Sequence, residues 1–557
     1  MVESRREQLM KKVLPLGEDD FRAIREKGNY YVDKTLLIKD FITSGNKVML
    51  ITRPRRFGKT LNMTMLRDFF DITGDSKEIF AGLNIMETKY ANHMNSTPVI
   101  YLSLKGCTGE KVKDLKRAIA EEVRKEYVRF EPYLADVNKK DKRYSNYFKT
   151  LEMLEDDKIK DPLLKQSLFY LVKALYTRSD VRPILIIDGY DSPIIETDEK
   201  IREKFTNFYE PFLTSVLKGN PNLGQAVLTG IQYVARESIF SKLNNMVVYT
   251  VLDDRYAQHF GFTEAQTVEV LANYDLVLND DVKAYYNGYL FSDVEIYNPW
   301  SILNYAQEKR LRSHWYKTST SELIFELIDT ADDKFHGEFE ELIENEKVTV
   351  NASLEESFFE YPGTETLWGL LVHEGYLTAI SEDYELEILT AIIPNNEIRS
   401  EFRMIVSTYT ELSSETLQNM TMALAEGNMN GFYQAYEKLV LESMSKQNSK
   451  ENAYFMLALA MTIYLRDLYD ITSDVESGRG SNIIMKSKDP QRPSIIIELK
   501  QGKNVEKLKH KALKRIEDNG NYAGLTGKVL CVGVAHNKKK CESAHEMMKE
   551  FTSYIKD

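Results

Sequence analysis

Four apolar residues, Val48-Met49-Leu50-Ile51, run into Thr52-Arg53-Pro54-Arg55-Arg56-Phe57-Gly58-Lys59-Thr60 and then into the helical pattern LNMTMLRDFFDIT. In that pattern Leu61, Met65, Leu66, Phe69 and Phe70 share one side at helical spacing. A buried strand, a tight basic loop and an amphipathic helix in this order open an α/β domain. The loop carries the second half of the phosphate-loop pattern GxxxxGK[ST], with Arg53 at the first glycine position. Gly58 lets the backbone approach a phosphate, and the amides at the start of the helix point at it. The Lys59 ammonium is placed for β- and γ-phosphate oxygens, and the Thr60 hydroxyl for Mg²⁺. ATP and Mg²⁺ are therefore the expected ligands, with Arg56, Phe57, Gly58, Lys59, Thr60 and Leu61 around the nucleotide.

Further strands are expected at Val99–Leu104, Ile184–Ile187 and Ala226–Thr229, separated by helical segments such as Lys111–Tyr127 and Pro162–Leu175. Long crossovers between apolar strands favour a parallel sheet with helices on both faces. The run Pro183-Ile184-Leu185-Ile186-Ile187-Asp188 ends in the acidic residue a phosphate loop needs, so Asp188 is the second expected Mg²⁺ ligand and a candidate catalytic residue. The next position, which in ATPases of the AAA type polarises the attacking water, is Gly189, with Asp191 nearby as a substitute of unknown direction. Arg53, Arg55 and Arg56 are candidates for phosphate or partner contact, against simple solvation.

The segments TRPRRFGKT, IIDGYDSPI, LTGIQYVARESIFSKLNN and IYNPWSILNY resemble a largely bacterial two-domain family. Its members carry an AAA-ATPase-like domain followed by a domain similar to the PD-(D/E)XK nucleases, and the resemblance runs from about Leu14 to Tyr522. It implies Walker A residues at Gly58, Lys59 and Thr60 and a Walker B aspartate at Asp188. The family reads Asp-Glu-Tyr-Asp where this chain has Asp188-Gly189-Tyr190-Asp191, and a basic residue is usual near Tyr233, with Arg236 present here.

For the C-terminal region the resemblance implies an Asp on one strand and Glu-x-Lys on the next, the two carboxylates sharing Mg²⁺ at the scissile phosphate. Glu498-Leu499-Lys500 supplies the second element, and alternation puts both polar side chains on one face. At the first, Gly478-Arg479-Gly480-Ser481-Asn482 places Asn482 where the resemblance expects Asp, removing one negative charge from the metal set Glu498 and Asn482. The family's Gln falls near Arg515. Asp489, in DPQRP, reads as a turn residue. An active nuclease and an inactive, nucleic-acid-binding or structural version both remain open.

The fold class expected is α/β: a P-loop parallel sheet over residues 14–255, a mainly helical lid or connector over 256–445 with one β patch near Leu377–Ile393, and a small restriction-endonuclease-like α/β domain over 446–557. That last domain includes an apolar helix Ala453–Leu468, strands Ile483–Met485, Ser494–Leu499 and Val529–Ala535, and a helix Val505–Asp518. Residues 476–557 hold 17 Lys/Arg against 10 Asp/Glu in a chain of net charge −12, which suits a polyanion such as nucleic acid at that end. Hydrophobic residues at 43 % and charged residues at 28 % describe ordinary globular composition and exclude a disordered or collagen-like chain. No apolar stretch reaches the ~20 residues of a membrane helix, and no signal peptide is visible. Three cysteines without CxxC spacing fit a reducing cytoplasm. His536 and His545 flank Lys538–Lys540 and read as surface residues. AAA-like domains often act as rings, so a homo-oligomer is a further expected partner. Two readings emerge: an ATP-binding protein coupled to a nuclease-like domain, and a non-catalytic ATP-switched module acting on nucleic acid or a protein.

Overall fold

The computed structural model describes the chain except residues 1–10, 156–158, 234–242, 244, 315–323, 325, 329, 384, 411–412, 444–459, 475–480, 520–524, 538–539 and 553–557. It divides into two compact units, residues 1–315 with 349–395, and residues 316–348 with 396–557.

The first unit is built on five strands: β1 (Val48–Thr52), β2 (Val99–Ser103), β3 (Ile184–Asp188), β4 (Ala226–Gly230) and β5 (Met246–Tyr249). Their order is β2-β3-β4-β1-β5 and every pairing is parallel. β1, β3 and β4 are buried at every position. That is why they read as unbroken apolar runs: crossover helices cover both sheet faces, leaving no solvent side to alternate with. The crossovers include the helices Val112–Arg129, Asp161–Ser179 and Glu199–Leu217. Their apolar stripes, among them Leu115, Ile119, Val123, Leu168, Leu171, Phe208 and Phe212, close one core with Leu50, Leu185 and Leu228. In a parallel sheet all carboxyl ends share one edge. Thr52 pairs with Gly230 and Asp188 with Thr229, so the ends of β1 and β3 flank the end of β4, about 9.6 Å apart.

Beyond β5 the same unit carries more strand than periodicity suggests. β6 (Phe262–Thr263), β7 (Tyr289–Phe291) and β8 (Val294–Tyr297) form a small antiparallel sheet. β9 (Lys347–Asn351) joins β10 (Thr378–Asp383) and β11 (Ile388–Ile392) in another, the last two matching the expected β patch. Strands of two to six residues are too short to establish an alternation, and their aromatic turns read as loop. Gly288, between the helix Asp280–Tyr286 and β7, has φ +105°, and a Cβ there would lie 1.8 Å from the Pro394 carbonyl oxygen.

The second unit contains a five-stranded sheet, β12 (Tyr469–Asp474), β13 (Ser481–Ser487), β14 (Ser494–Gln501), β15 (Thr526–Asn537) and β16 (Lys540–Thr552), in chain order. β14 and β15 are parallel and the other pairs antiparallel. The helix Val505–Asn519 makes the parallel crossover, as such a pair requires. The β13–β14 turn is held by Asp489, whose carboxylate accepts from the Gln491 amide at 2.9 Å. Residues 453–459 of the expected helix Ala453–Leu468 lie outside the described residues while 460–465 are helical, and β12 and β16 are elements the sequence pattern did not disclose. His536 is buried in β15 rather than on the surface, and burial lowers its pKa. Among the described residues no helix is long and apolar enough to cross a membrane.

Gly288→Ala should destabilise the first unit by upward of about 3 kcal/mol, adding a backbone clash to the left-handed penalty. Gly219→Ala, with φ +57° and open space around it, should cost only the penalty itself, about 1–2 kcal/mol. Calorimetric unfolding of the two variants beside the parent chain measures both.

Candidate functional site

The loop after β1 is held from three sides. Arg53, at the position of the motif's first glycine, is fully buried and turned inward. Its guanidinium donates to the carbonyls of Thr52, Tyr249 and Thr250 at 2.7, 3.2 and 2.6 Å, and lies over the rings of Phe260 and Phe291. Its side chain is therefore neither solvated nor available to a phosphate. Arg55 pairs with Glu374 at 3.0 Å, at the end of the helix Thr364–Glu374. Glu374 is buried, and desolvation raises its pKa while Arg55 opposes the rise. Arg56 lies over the Trp300 ring and donates to the His314 carbonyl at 2.8 Å. The Phe57 side chain is fully buried against Tyr289 and Phe291, so it anchors the loop, and its carbonyl accepts from the Gly261 amide.

These anchors set the loop's last turn. Arg56 and Gly58 both have positive φ, +67° and +85°, and Gly58 caps the helix Lys59–Phe70. The turn therefore delivers the chain to a helix N-terminus, where free amides and the helix dipole favour an anion. In front of it lies a cavity of about 420 Å³ lined by Arg56, Phe57, Gly58, Lys59, Thr60 and Leu61. Its other walls come from Ile24, Tyr30, Tyr31, Lys34, His259 and Trp300. All six expected nucleotide-binding positions thus meet at one cavity, of a size that suits a small ligand.

Lys59 is buried, and its ammonium donates to the Arg53 and Pro54 carbonyls, each at 2.8 Å. Burial, with Lys105 adding repulsion, brings its pKa down to about 7. Asp188 is wholly buried at the end of β3. Its Oδ2 pairs with the Lys105 ammonium at 3.1 Å and accepts from the Tyr101 hydroxyl at 3.5 Å, while Oδ1 has no protein partner. The same ammonium donates to the Thr60 hydroxyl. Thr60 and Asp188 are hard oxygen donors suited to Mg²⁺, and the orphaned Oδ1 leaves a buried carboxylate oxygen that fits such a cation. Lys105 is the residue that motif reading missed. It follows a strand, carries no pattern of its own, and is brought to Asp188 only by the β2–β3 pairing.

Gly189 has φ +69°, and a Cβ there would stand 2.5 Å from Lys105 Cγ. A side chain there, which could polarise water, is disfavoured by the backbone and would have to displace the Lys105 stem. Asp191 does not replace it. Its carboxylate is buried against the end of β4, where Oδ2 accepts from the amides of Ile231 and Gln232 at 2.6 and 3.0 Å. Burial raises its pKa.

In the second unit the register pairs Asn482 with Glu498 across β13 and β14, bringing two of the expected metal-set positions to one rung. Glu498 is fully buried. Its Oε1 meets Lys500 at 3.2 Å and Arg515, from the crossover helix, at 3.0 Å, while Oε2 has no partner. Burial raises the Glu498 pKa and the two cations oppose that. One carboxylate between two cations is a net positive cluster. Among the described residues no group of three or more His, Cys, Asp or Glu could hold a metal ion.

A parallel sheet with a phosphate-type loop after its first strand and an acidic residue after its third defines a nucleotide-binding α/β class. Residues 15–240 match the family model for a predicted AAA-ATPase, so this part of the chain is AAA-ATPase-like. A protein of Azotobacter chroococcum mcd 1, described as an uncharacterized protein in the vnfD 5′ region, is 28 % identical over 329 residues. That alignment covers 58 % of this chain, and the chain spans 57 % of that relative's length.

Lys34, on the cavity wall, donates to Gln258 O and Gln266 Oε1, both at 2.6 Å, and burial lowers its pKa from 10.5 to about 7. Between those values the unfolded chain binds one more proton than the folded chain, so this group makes stability rise with pH. The melting temperature of the parent chain minus that of Lys34→Met should therefore grow from pH 7 to pH 10, as followed by circular dichroism.

Proposed function

We propose that the chain binds ATP at the loop Arg53–Leu61 and turns it over slowly, if at all, as a nucleotide-controlled module. The observation that supports this best is the ligand-sized cavity shared by Gly58, Lys59 and Thr60, with Asp188 at the end of β3 linked to Thr60 through the Lys105 ammonium. The triphosphate lies against the helix N-terminus, and Lys59 exchanges its two carbonyl partners for phosphate oxygens. Thr60 and Asp188 are the residues that would hold Mg²⁺, which when bound supplies positive charge to the phosphates. Tyr30, Tyr31 and Trp300 offer apolar faces to the base. Slow turnover follows from Gly189, which offers no side chain to polarise water, and from the tethering of Asp191 to the Ile231 and Gln232 amides.

The purified chain should take up a fluorescent ATP analogue saturably, and Lys59→Ala should weaken uptake at least about tenfold, or 1.4 kcal/mol. Phosphate release should stay near background for both. Absence of saturable uptake in the parent chain would falsify the reading, and ordinary ATPase rates would refute its second half.

For the C-terminal sheet we propose nucleic-acid binding without efficient cleavage. The Glu498–Lys500–Arg515 cluster supports this, because its excess positive charge suits a phosphate better than a divalent metal. Mobility-shift titration should give binding that weakens with salt and is reduced by Arg515→Ala. A plasmid incubated with Mg²⁺ or Mn²⁺ should remain unnicked, and Glu498-dependent nicking would return the active-nuclease reading.

A further inference from the structure

We propose that Lys105 is a resident competitor of Mg²⁺: its ammonium occupies the cation position between Thr60 and Asp188, so nucleotide binds with little dependence on the metal. The inference rests on the ATP-binding reading and goes on to say how the charge of the triphosphate is met.

Three observations carry it. The Lys105 ammonium contacts both oxygen donors that a P-loop metal would need, the Thr60 hydroxyl and the Asp188 carboxylate. Its backbone is fixed for this, since the Leu104 amide donates to the Asp188 carbonyl at 2.8 Å and sets the next residue beside the carboxylate. Its stem lies over Gly189, where even a Cβ would intrude to 2.5 Å. The lysine and the missing acidic side chain are thus one arrangement: a residue with a side chain at position 189 would evict the Lys105 stem.

The physical consequence is competition. Mg²⁺ takes near-octahedral oxygen ligands at about 2.0–2.1 Å, so it cannot bridge the Thr60 hydroxyl and the Asp188 carboxylate while an ammonium lies between them. The metal enters only if Lys105 swings away. Its side chain is 40 % exposed, which leaves solvent on one side to receive it. With Lys105 in place the triphosphate meets two ammonium groups, Lys59 and Lys105, beside the helix N-terminus. That supplies charge which a metal would otherwise bring.

The test is an equilibrium titration of the full chain with the fluorescent ATP analogue, once in excess EDTA and once in excess Mg²⁺. The parent chain should bind with affinities within about threefold of each other, whereas Lys105→Met should lose at least about tenfold in EDTA and recover in Mg²⁺. Lys105→Arg, which keeps the charge, guards against a folding defect and should resemble the parent. Gly189→Ala should move the chain part of the way toward metal dependence by displacing the stem. Tenfold or greater Mg²⁺ dependence in the parent chain, or an unchanged EDTA affinity in Lys105→Met, overturns the role given to Lys105 while leaving ATP binding intact. Failure to bind under either condition removes ATP binding itself, and this inference with it.

Discussion

A carboxylate buried at the end of a strand needs a positive partner, because an unpaired charge in that setting is strongly unfavourable. Asp188 is such a group, and much of the site's geometry follows from how it is matched. It lies at the end of an apolar strand between two others, so water cannot reach it from the sheet faces. The neighbouring strand supplies Lys105, and the glycine after Asp188 makes room for the lysine's stem. The loop after β1 then contributes the hydroxyl that shares the same ammonium. Strand pairing, backbone conformation and charge balance thus converge on one atom.

The loop itself is ordered by side chains that lead away from the cavity. Arg53 holds its start to the end of β5, Arg55 reaches the helix Thr364–Glu374, and Arg56 and Phe57 reach the aromatic segments around Trp300 and Tyr289. Segments distant in sequence therefore fix one short turn. This explains why residues 256–315 and 349–395 of the expected helical connector belong with the parallel sheet in one compact unit, whereas 316–348 and 396–445 fall in the other.

The parallel sheet was legible because it is buried on both faces: Val48–Ile51 and Ile184–Ile187 are uninterrupted apolar runs, and the patterns Gly58-Lys59-Thr60 and strand-end Asp188 are local in sequence. The short strands β6 to β8 were not, since they take their stability from aromatic packing rather than from alternation. Lys105 and Glu374 escaped notice for a related reason. Each meets its partner only through tertiary pairing, Lys105 across 83 residues to Asp188 and Glu374 across 319 to Arg55. In the second unit β14 and its Glu498–Lys500 pair were readable from alternation, whereas the Arg515 contact depends on how the crossover helix returns over the sheet.

Arg53 has a wider implication. A glycine at that point would supply pliancy, whereas here a guanidinium stitches the turn to three carbonyls of neighbouring backbone and is sheltered by two rings. Rigidity by cross-linking takes the place of freedom by absence of a side chain. Pattern searches that demand both glycines would overlook cradles made this way, and a nearby buried arginine facing strand-end carbonyls is the better signature to look for.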